Sequence, residues 1–434
     1  MSFHPRTESV NKKKTGKLTL RDSTAMAVGG MIGGGIFSVL GVTVSLAGHL
    51  AVGCFILGAI VAIMTAHSFS RLSLRAGKSG GLFIYLRGAG YPRLGAYLSW
   101  LLIFGYVVAL AVYSYTFGHY AANVTGQGEI AARTFSALAL IIFLGINLRG
   151  VSSSAITEDI VVFIKVIVLA IISIIGFFHF SISRFIPIAN NGFTNVLIGA
   201  TTIFVAYEGF ELLSYDYDDI ENPKRNLPKA LYLSVGIVAL IYVIVTIGSQ
   251  LLVSDSLIVG QKEVAFASVG QAAMGTIGKW IATGAALLAT CSAINATLFS
   301  TARQMHEIST ENELPKIFSK TKNSLPVSAL VLLTIFSVSF AMLPGILELL
   351  TFGSAIFLMV FAATNYLAFL IAESKIEKVI GLLSCAACSA ALVTLFVEVS
   401  LHDRTTLLLI VICVSIISIG RYIFVKNKHK VISL

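Results

Sequence analysis

The sequence predicts an all-α membrane protein with 12 transmembrane helices, and composition, run length and charge placement all point the same way. Of its 434 residues 56% are hydrophobic and 12% charged, and the mean hydropathy is +0.88, which excludes an ordinary water-soluble enzyme. Apolar runs recur at Val166–Phe178, Leu231–Leu252, Ala329–Leu343, Ala355–Leu370 and Leu407–Ile419; with their flanks they approach the roughly 20 residues that cross a bilayer core. Run by run, the spans fall at 19–46, 49–72, 94–122, 131–147, 157–180, 193–215, 229–252, 270–305, 326–344, 347–371, 377–398 and 405–425. All are expected to be helices, because lipid offers backbone groups no partner.

The net charge of +10 invites a nucleic-acid reading, but the positions of the basic residues oppose it. With both termini inside, the cytoplasmic segments hold most of the Lys and Arg: Arg6 to Arg21, Arg71 to Arg93, Arg149, Lys224 to Lys229, Arg303 to Lys322, Lys375, Lys378, and Arg421 to Lys430. The external segments hold Arg133, Arg184, Lys262, Lys279 and Arg404, the asymmetry of an inside-positive orientation. Only Lys165 is left over, inside span 5. Residues 1–18 are polar and basic with no apolar stretch, so no cleavable signal is expected and span 1 directs insertion. The cysteines, Cys54, Cys291, Cys385, Cys388 and Cys413, all fall inside spans, so no disulfide framework is read from them. Cys385 and Cys388 form a C-x-x-C with no His or second Cys pair nearby, and read as small packing residues.

Spans 1 and 6 are interrupted where a plain anchor would be continuous. Span 1 carries Gly29-Gly30-Met31-Ile32-Gly33-Gly34-Gly35-Ile36-Phe37. Each Gly costs about 1 kcal/mol relative to Ala inside a helix, and close packing needs small residues on one face only, so unwinding is expected at 33–35. Span 6 carries Phe204-Val205-Ala206-Tyr207-Glu208-Gly209-Phe210-Glu211. Two carboxylates there, at about 2.5–3.5 kcal/mol each on insertion scales, imply a cavity.

Each break lies in the first span of a five-span group, the pattern of an inverted-repeat transporter with its site near the midplane. The expected division is a cytoplasmic tail (1–18), a first five-helix repeat (19–185), a second (186–372), spans 11 and 12 (373–425) and a cytoplasmic tail (426–434). Unpaired N–H groups at the start of one half-helix attract a carboxylate, and free carbonyls at the end of another attract an ammonium. Together they suit a zwitterion, with few ionisable side chains required.

These residues resemble the amino acid–polyamine–organocation (APC) permeases, which adopt the leucine-transporter fold. Gly33-Gly34-Gly35-Ile36-Phe37 is similar to the family's G-(S/A/G)-G-(I/T)-x motif, and Ser79-Gly80-Gly81 with Tyr85 to its stretch between helices 2 and 3. The most specific match is Asp219-Ile220-Glu221-Asn222-Pro223-Lys224-Arg225-Asn226-Leu227-Pro228-Lys229-Ala230, which resembles E-x-x-N-P-x-R-x-x-P-x-A with Asp219 in place of the first Glu. Ser292, Asn295 and Arg303, then Leu314-Pro315, add a further likeness in and after span 8. The resemblance implies that amides of Gly33, Gly34, Gly35 and Ile36 hold a substrate carboxylate, and that carbonyls of Phe204, Val205, Ala206 and Tyr207 receive its amine. Glu208, a substrate-binding candidate next to the inferred amine site, departs from the apolar residue expected beside Tyr207, which leaves the substrate class open; the position of Glu211 is often acidic in the family.

Lys165 sits in the apolar body of span 5 and cannot snorkel. Removing an ammonium from water opposes its charged form, so a lysine there can exchange protons; the plain alternative is a structural lysine paired with an acid. In sodium-independent members of the family a lysine at the matching position projects to where sodium-coupled relatives bind the ion. The resemblance therefore implies proton coupling through Lys165, with Ser292 and the carbonyls near Gly29 and Gly30 as neighbours.

The expected function is secondary active transport of an amino acid or related amine across the cell membrane by alternating access. The expected partners are that small-molecule substrate, protons and the lipid bilayer, with no nucleic acid, cofactor or metal. The alternative is an obligatory amino acid or amine exchanger. A channel would not require paired breaks, and the spans offer no nucleophile–base or metal constellation for an enzyme. Tyr106, Tyr113 and Tyr120 share one face of span 3 at seven-residue spacing and read as packing or interface residues. His49, His67, His119 and His179 read as solvated or interfacial, and Glu348 as stabilising the start of span 10.

Overall fold

The computed structural model describes residues 17–150, 155–188, 191–322, 325–343 and 345–432. Most of the expected N-terminal tail and the last residues of the C-terminal one lie outside them. The helices are α1 (Leu20–Met31), α2 (Gly35–Ala47), α3 (Ala51–Ala76), α4 (Gly81–Gly88), α5 (Pro92–Thr125), α6 (Glu129–Leu148), α7 (Ala155–Phe177) and α8 (Thr194–Thr202). They continue as α9 (Pro223–Leu252), α10 (Asp255–Gly260), α11 (Ala265–Thr310), α12 (Val327–Ala341), α13 (Ile346–Ile371), α14 (Lys375–His402) and α15 (Arg404–Ile432). Each expected span falls on a helix or on a broken helix. Span 1 is α1 with α2; span 6 is α8 with the 3₁₀ segments Phe204–Tyr207 and Phe210–Asp219, bent by 55°.

Local chemistry sets the ends. Thr19 and Asp22 form a capping box at α1: the Thr19 N–H donates to the Asp22 carboxylate at 2.9 Å and the Asp22 N–H to Thr19 Oγ1 at 3.3 Å. Pro92 and Pro223 occupy first turns of α5 and α9, where a missing N–H costs nothing. Span 8 is longer than its expected 270–305: α11 has 46 residues and is kinked at Met274 and Gly275.

Burial ranks the helices. In the most apolar window of α5, 83% of residues are inside the protein, and of α13, 72%; in α14 and α15 the shares are 22% and 11%. So α5 and α13 form the centre, and spans 11 and 12 lie outside with apolar faces for lipid.

One end of the bundle is tied by polar contacts. Leu18 exchanges backbone hydrogen bonds with Asp219 and Glu221, both at 2.8 Å, Ser79 and Asp218 bond reciprocally at 2.8 and 3.0 Å, and Arg87 pairs with Glu311. The Glu313 carbonyl accepts from Trp100 Nε1 at 2.9 Å and Arg421 Nη1 at 2.8 Å, while its carboxylate pairs with Arg421 and with Lys428 at 2.9 Å. This fastens the segment after α11 to α5 and α15.

Burial works against the Glu313 carboxylate, but hydrogen bonds from Arg421 and Lys428 outweigh it and hold the carboxyl below its ordinary range. A carboxyl lowered in the folded state stabilises above its unfolded value and loses that contribution as pH falls through the folded one. Glu313→Gln is therefore expected to lower the thermal unfolding midpoint near neutral pH, by an effect on the order of 1–2 kcal/mol, and to leave a midpoint less sensitive to acid. Unfolding scans of both proteins from neutral to acidic pH check this.

Candidate substrate and coupling site

The chain in span 1 leaves the helix at Ile32, Gly33 and Gly34, and α2 starts at Gly35. This is one residue earlier than the expected 33–35. Gly34 precedes α2 without any side-chain cap, so the first-turn amides of α2 face the break as donors without an intrahelical acceptor. The glycines serve close approach as well as unwinding. A Cβ on Gly33 would lie 2.2 Å from Ala293 Cβ of α11, one on Gly34 2.1 Å from the Tyr113 ring of α5, and one on Gly35 2.2 Å from Tyr242 Oη of α9 and 3.2 Å from the Ala206 carbonyl. Three spans and the second break thus press on three consecutive residues.

In span 6 the helix ends at Thr202, passes through the 3₁₀ turn Phe204–Tyr207, and becomes extended at Glu208 (φ −65°, ψ 148°). Gly209 follows at φ 116°, a backbone region that side chains rarely adopt; a Cβ there would lie 2.9 Å from the Gly30 carbonyl carbon. The two broken spans therefore cross at Gly30 and Gly209. Ser354 of α13 bridges the gap in span 6, donating to the Thr202 carbonyl at 2.7 Å and accepting from the Val205 N–H at 2.9 Å. Phe204 packs edge-on against Phe361.

Tyr242 ties the breaks together. Its hydroxyl lies 2.9 Å from both the Met31 and Ala206 carbonyls. The Val205 carbonyl accepts the Glu208 N–H at 3.1 Å. Two of the carbonyls expected to be free for an amine are thus engaged inside the protein. Tyr207 points away, its hydroxyl donating to the Phe55 carbonyl at 2.8 Å.

Glu208 and Glu211 are each 1% exposed. Tyr113 Oη donates to Glu208 Oε2 at 2.5 Å, and Tyr106 Oη donates to Glu211 Oε1 at 3.1 Å; the Gly209 N–H donates to Glu211 Oε2 at 2.9 Å. Glu208 Oε1 is buried and has no hydrogen-bond partner among the described residues. So two of the span 3 tyrosines serve the carboxylates and do not anchor at an interface; Tyr120 is buried too, packed edge-on against Phe37.

Lys165 is fully buried, and its Nζ donates to the Gly29 carbonyl of α1 at 2.8 Å. Ser292 is half-buried on α11, beside the Ala293 that presses on Gly33. His179 is exposed, as a solvated reading expects, whereas the other three histidines so read have partners. His67 Nδ1 lies 2.6 Å from the Tyr232 hydroxyl, His119 Nε2 3.0 Å from Glu129, and His49 Nδ1 2.8 Å from the Pro187 carbonyl.

Comparison with known proteins decides the family, since the family described as amino acid permease matches residues 18–424. The chain belongs to the amino acid permease family. The permease is 30% identical over 376 residues to the inner membrane transport protein YbaT of Escherichia coli, covering 83% of this chain and 85% of the relative. It is 27% identical to the methylthioribose transporter of Bacillus subtilis, over 73% and 72% of the two chains. It is 26% identical to the lysine-specific permease LysP of Lactococcus lactis, over 73% and 67%. The permease is thus a multi-pass membrane protein and a secondary amino acid transporter. Sequence reasoning missed Tyr242 and Ser354, ordinary members of apolar runs whose hydroxyls become significant only once the breaks come against them.

Proposed function

We propose that the permease is a proton-coupled, sodium-independent amino acid carrier of the cell membrane, with both termini cytoplasmic. The observation that carries this reading is the Lys165 Nζ on the Gly29 carbonyl, 2.8 Å away, less than one turn before the unwound residues. The substrate carboxylate is taken by amides of Gly34, Gly35 and Ile36, while Gly33, also expected there, has its N–H turned to the Gly30 carbonyl at 3.3 Å. These same residues lie against Tyr113, Tyr242 and Ala293, so a ligand there must part contacts that join spans 1, 3, 7 and 8.

The proton step is a change at one atom. A protonated Lys165 is all donor and holds α1 against α7 through Gly29; a neutral amine keeps a lone pair and binds a carbonyl less strongly. Loading and losing the proton thus biases how α1 sits against α7, both inside the first repeat, 19–185, and substrate binding biases the position of α1 from the other side of the break. Ser292, next in sequence to the Ala293 that meets Gly33, is assigned as the α11 neighbour of this step. Lys and Arg concentrated in the connections that share an end with residue 18 support the orientation.

Uptake into proteoliposomes tests the reading. Accumulation of labelled amino acid under an inward proton gradient is expected to persist when sodium is replaced by potassium or choline, and to proceed into vesicles with no internal amino acid. Sodium dependence overturns the coupling assignment, and silence with an empty interior favours exchange.

A further inference from the structure

We infer that Glu208 is the group that receives the substrate's ammonium, in place of the helix carbonyls, and that it makes an amino group obligatory in the substrate. The inference rests on the amino acid transport reading of the same site and adds to it the partner of the cationic end. Three observations carry it. First, Glu208 is 1% exposed, yet its Oε1 has no partner among the described residues, and a buried acceptor left unmade carries a full desolvation cost. Glu211 beside it is saturated by the Gly209 N–H and the Tyr106 hydroxyl. A proton placed on Glu208 does not cure the deficit, because the new O–H has no acceptor at the orphan position. A cationic N–H donor does.

Second, two of the four carbonyls that offered the obvious alternative already have donors against them: Val205 accepts the Glu208 N–H, and the Tyr242 hydroxyl, with one proton to share between Met31 and Ala206, lies 2.9 Å from the Ala206 carbonyl. Third, the acid stands one tyrosine ring from the anion-binding amides. The Tyr113 ring covers Gly34 while its hydroxyl holds Glu208 Oε2, so a small molecule with its carboxylate on the first turn of α2 has its other pole beside Glu208.

The test separates an ammonium receptor from a structural acid. Purified full-length wild type and Glu208→Gln are screened by thermal shift against the twenty standard amino acids. The amino acid with the largest wild-type shift is then titrated against its α-hydroxy acid analogue, which keeps the carboxylate and side chain and exchanges ammonium for hydroxyl. Wild type is expected to prefer the amino acid, and Glu208→Gln to reduce that preference at least about tenfold, through loss of a charge-assisted bond. The unliganded midpoint of Glu208→Gln is measured alongside, since the glutamine amide places N–H donors where Oε1 had no partner, and the ratio of the two affinities within one protein is independent of that cost. Equal weakening of both ligands, or an unchanged preference, overturns the role of Glu208 and leaves the carboxylate end standing. Failure of wild type to bind any of the amino acids overturns both.

Discussion

Gly35→Val is expected to abolish amino acid binding, weakening it by more than about a hundredfold, or roughly 2.7 kcal/mol. A Cβ at this position alone would lie 2.2 Å from Tyr242 Oη and 3.2 Å from the Ala206 carbonyl. Valine therefore displaces the tyrosine that ties the breaks, and shields the amides proposed to take the carboxylate. Gly34→Val acts in the same direction through the Tyr113 ring, 2.1 Å from its Cβ. Overpacking of this kind costs about 1–3 kcal/mol of stability, so the unfolding midpoint of each variant is measured alongside binding. Unchanged affinity in folded Gly35→Val removes the carboxylate site from this place.

Lys165→Ala is expected to eliminate concentrative, pH-driven uptake while changing amino acid binding by no more than about threefold. The separation follows from geometry. Lys165 reaches Gly29 from α7, whereas the proposed binding amides lie beyond the break, against α5 and α9, and Glu208 is held by Tyr113 of α5. The Gly29 carbonyl loses a charged donor, at a cost of about 1–3 kcal/mol, so the variant is expected to unfold at a lower temperature. Counterflow with equal pH on both sides is expected to survive, because exchange of substrate for substrate needs no net proton movement.

Much of this architecture was legible from residue types alone. Three consecutive glycines in span 1 and a glycine between two acids in span 6 are so costly in an ordinary lipid-facing helix that the breaks are readable, and they occur within a residue or so of the expected places. Lys165 was legible for the same reason, as a charge with no route to water. The partners of these features were not. Tyr242 reads as one more large residue in an apolar run, and its double contact to Met31 and Ala206 exists only because spans 1, 6 and 7 meet. Tyr113 and Tyr106 showed their shared face by spacing, but spacing does not say whether a hydroxyl meets a headgroup or a carboxylate. The occupied carbonyls of Val205 and Ala206 were equally out of reach, since a sequence marks where a helix breaks and not which neighbour fills the break.

In the proposed coupling, amino acid and proton move together through a contact made by Lys165. It is tested most directly by trapping a pH-sensitive dye inside proteoliposomes and adding amino acid outside, with no sodium and no initial pH difference. Wild type is expected to acidify the lumen on addition of substrate, and Lys165→Ala, shown to bind the same amino acid, to leave the internal pH unchanged. Acidification of equal size in the two proteins, or none in a wild type that is taking up the amino acid, would rule out coupling through Lys165.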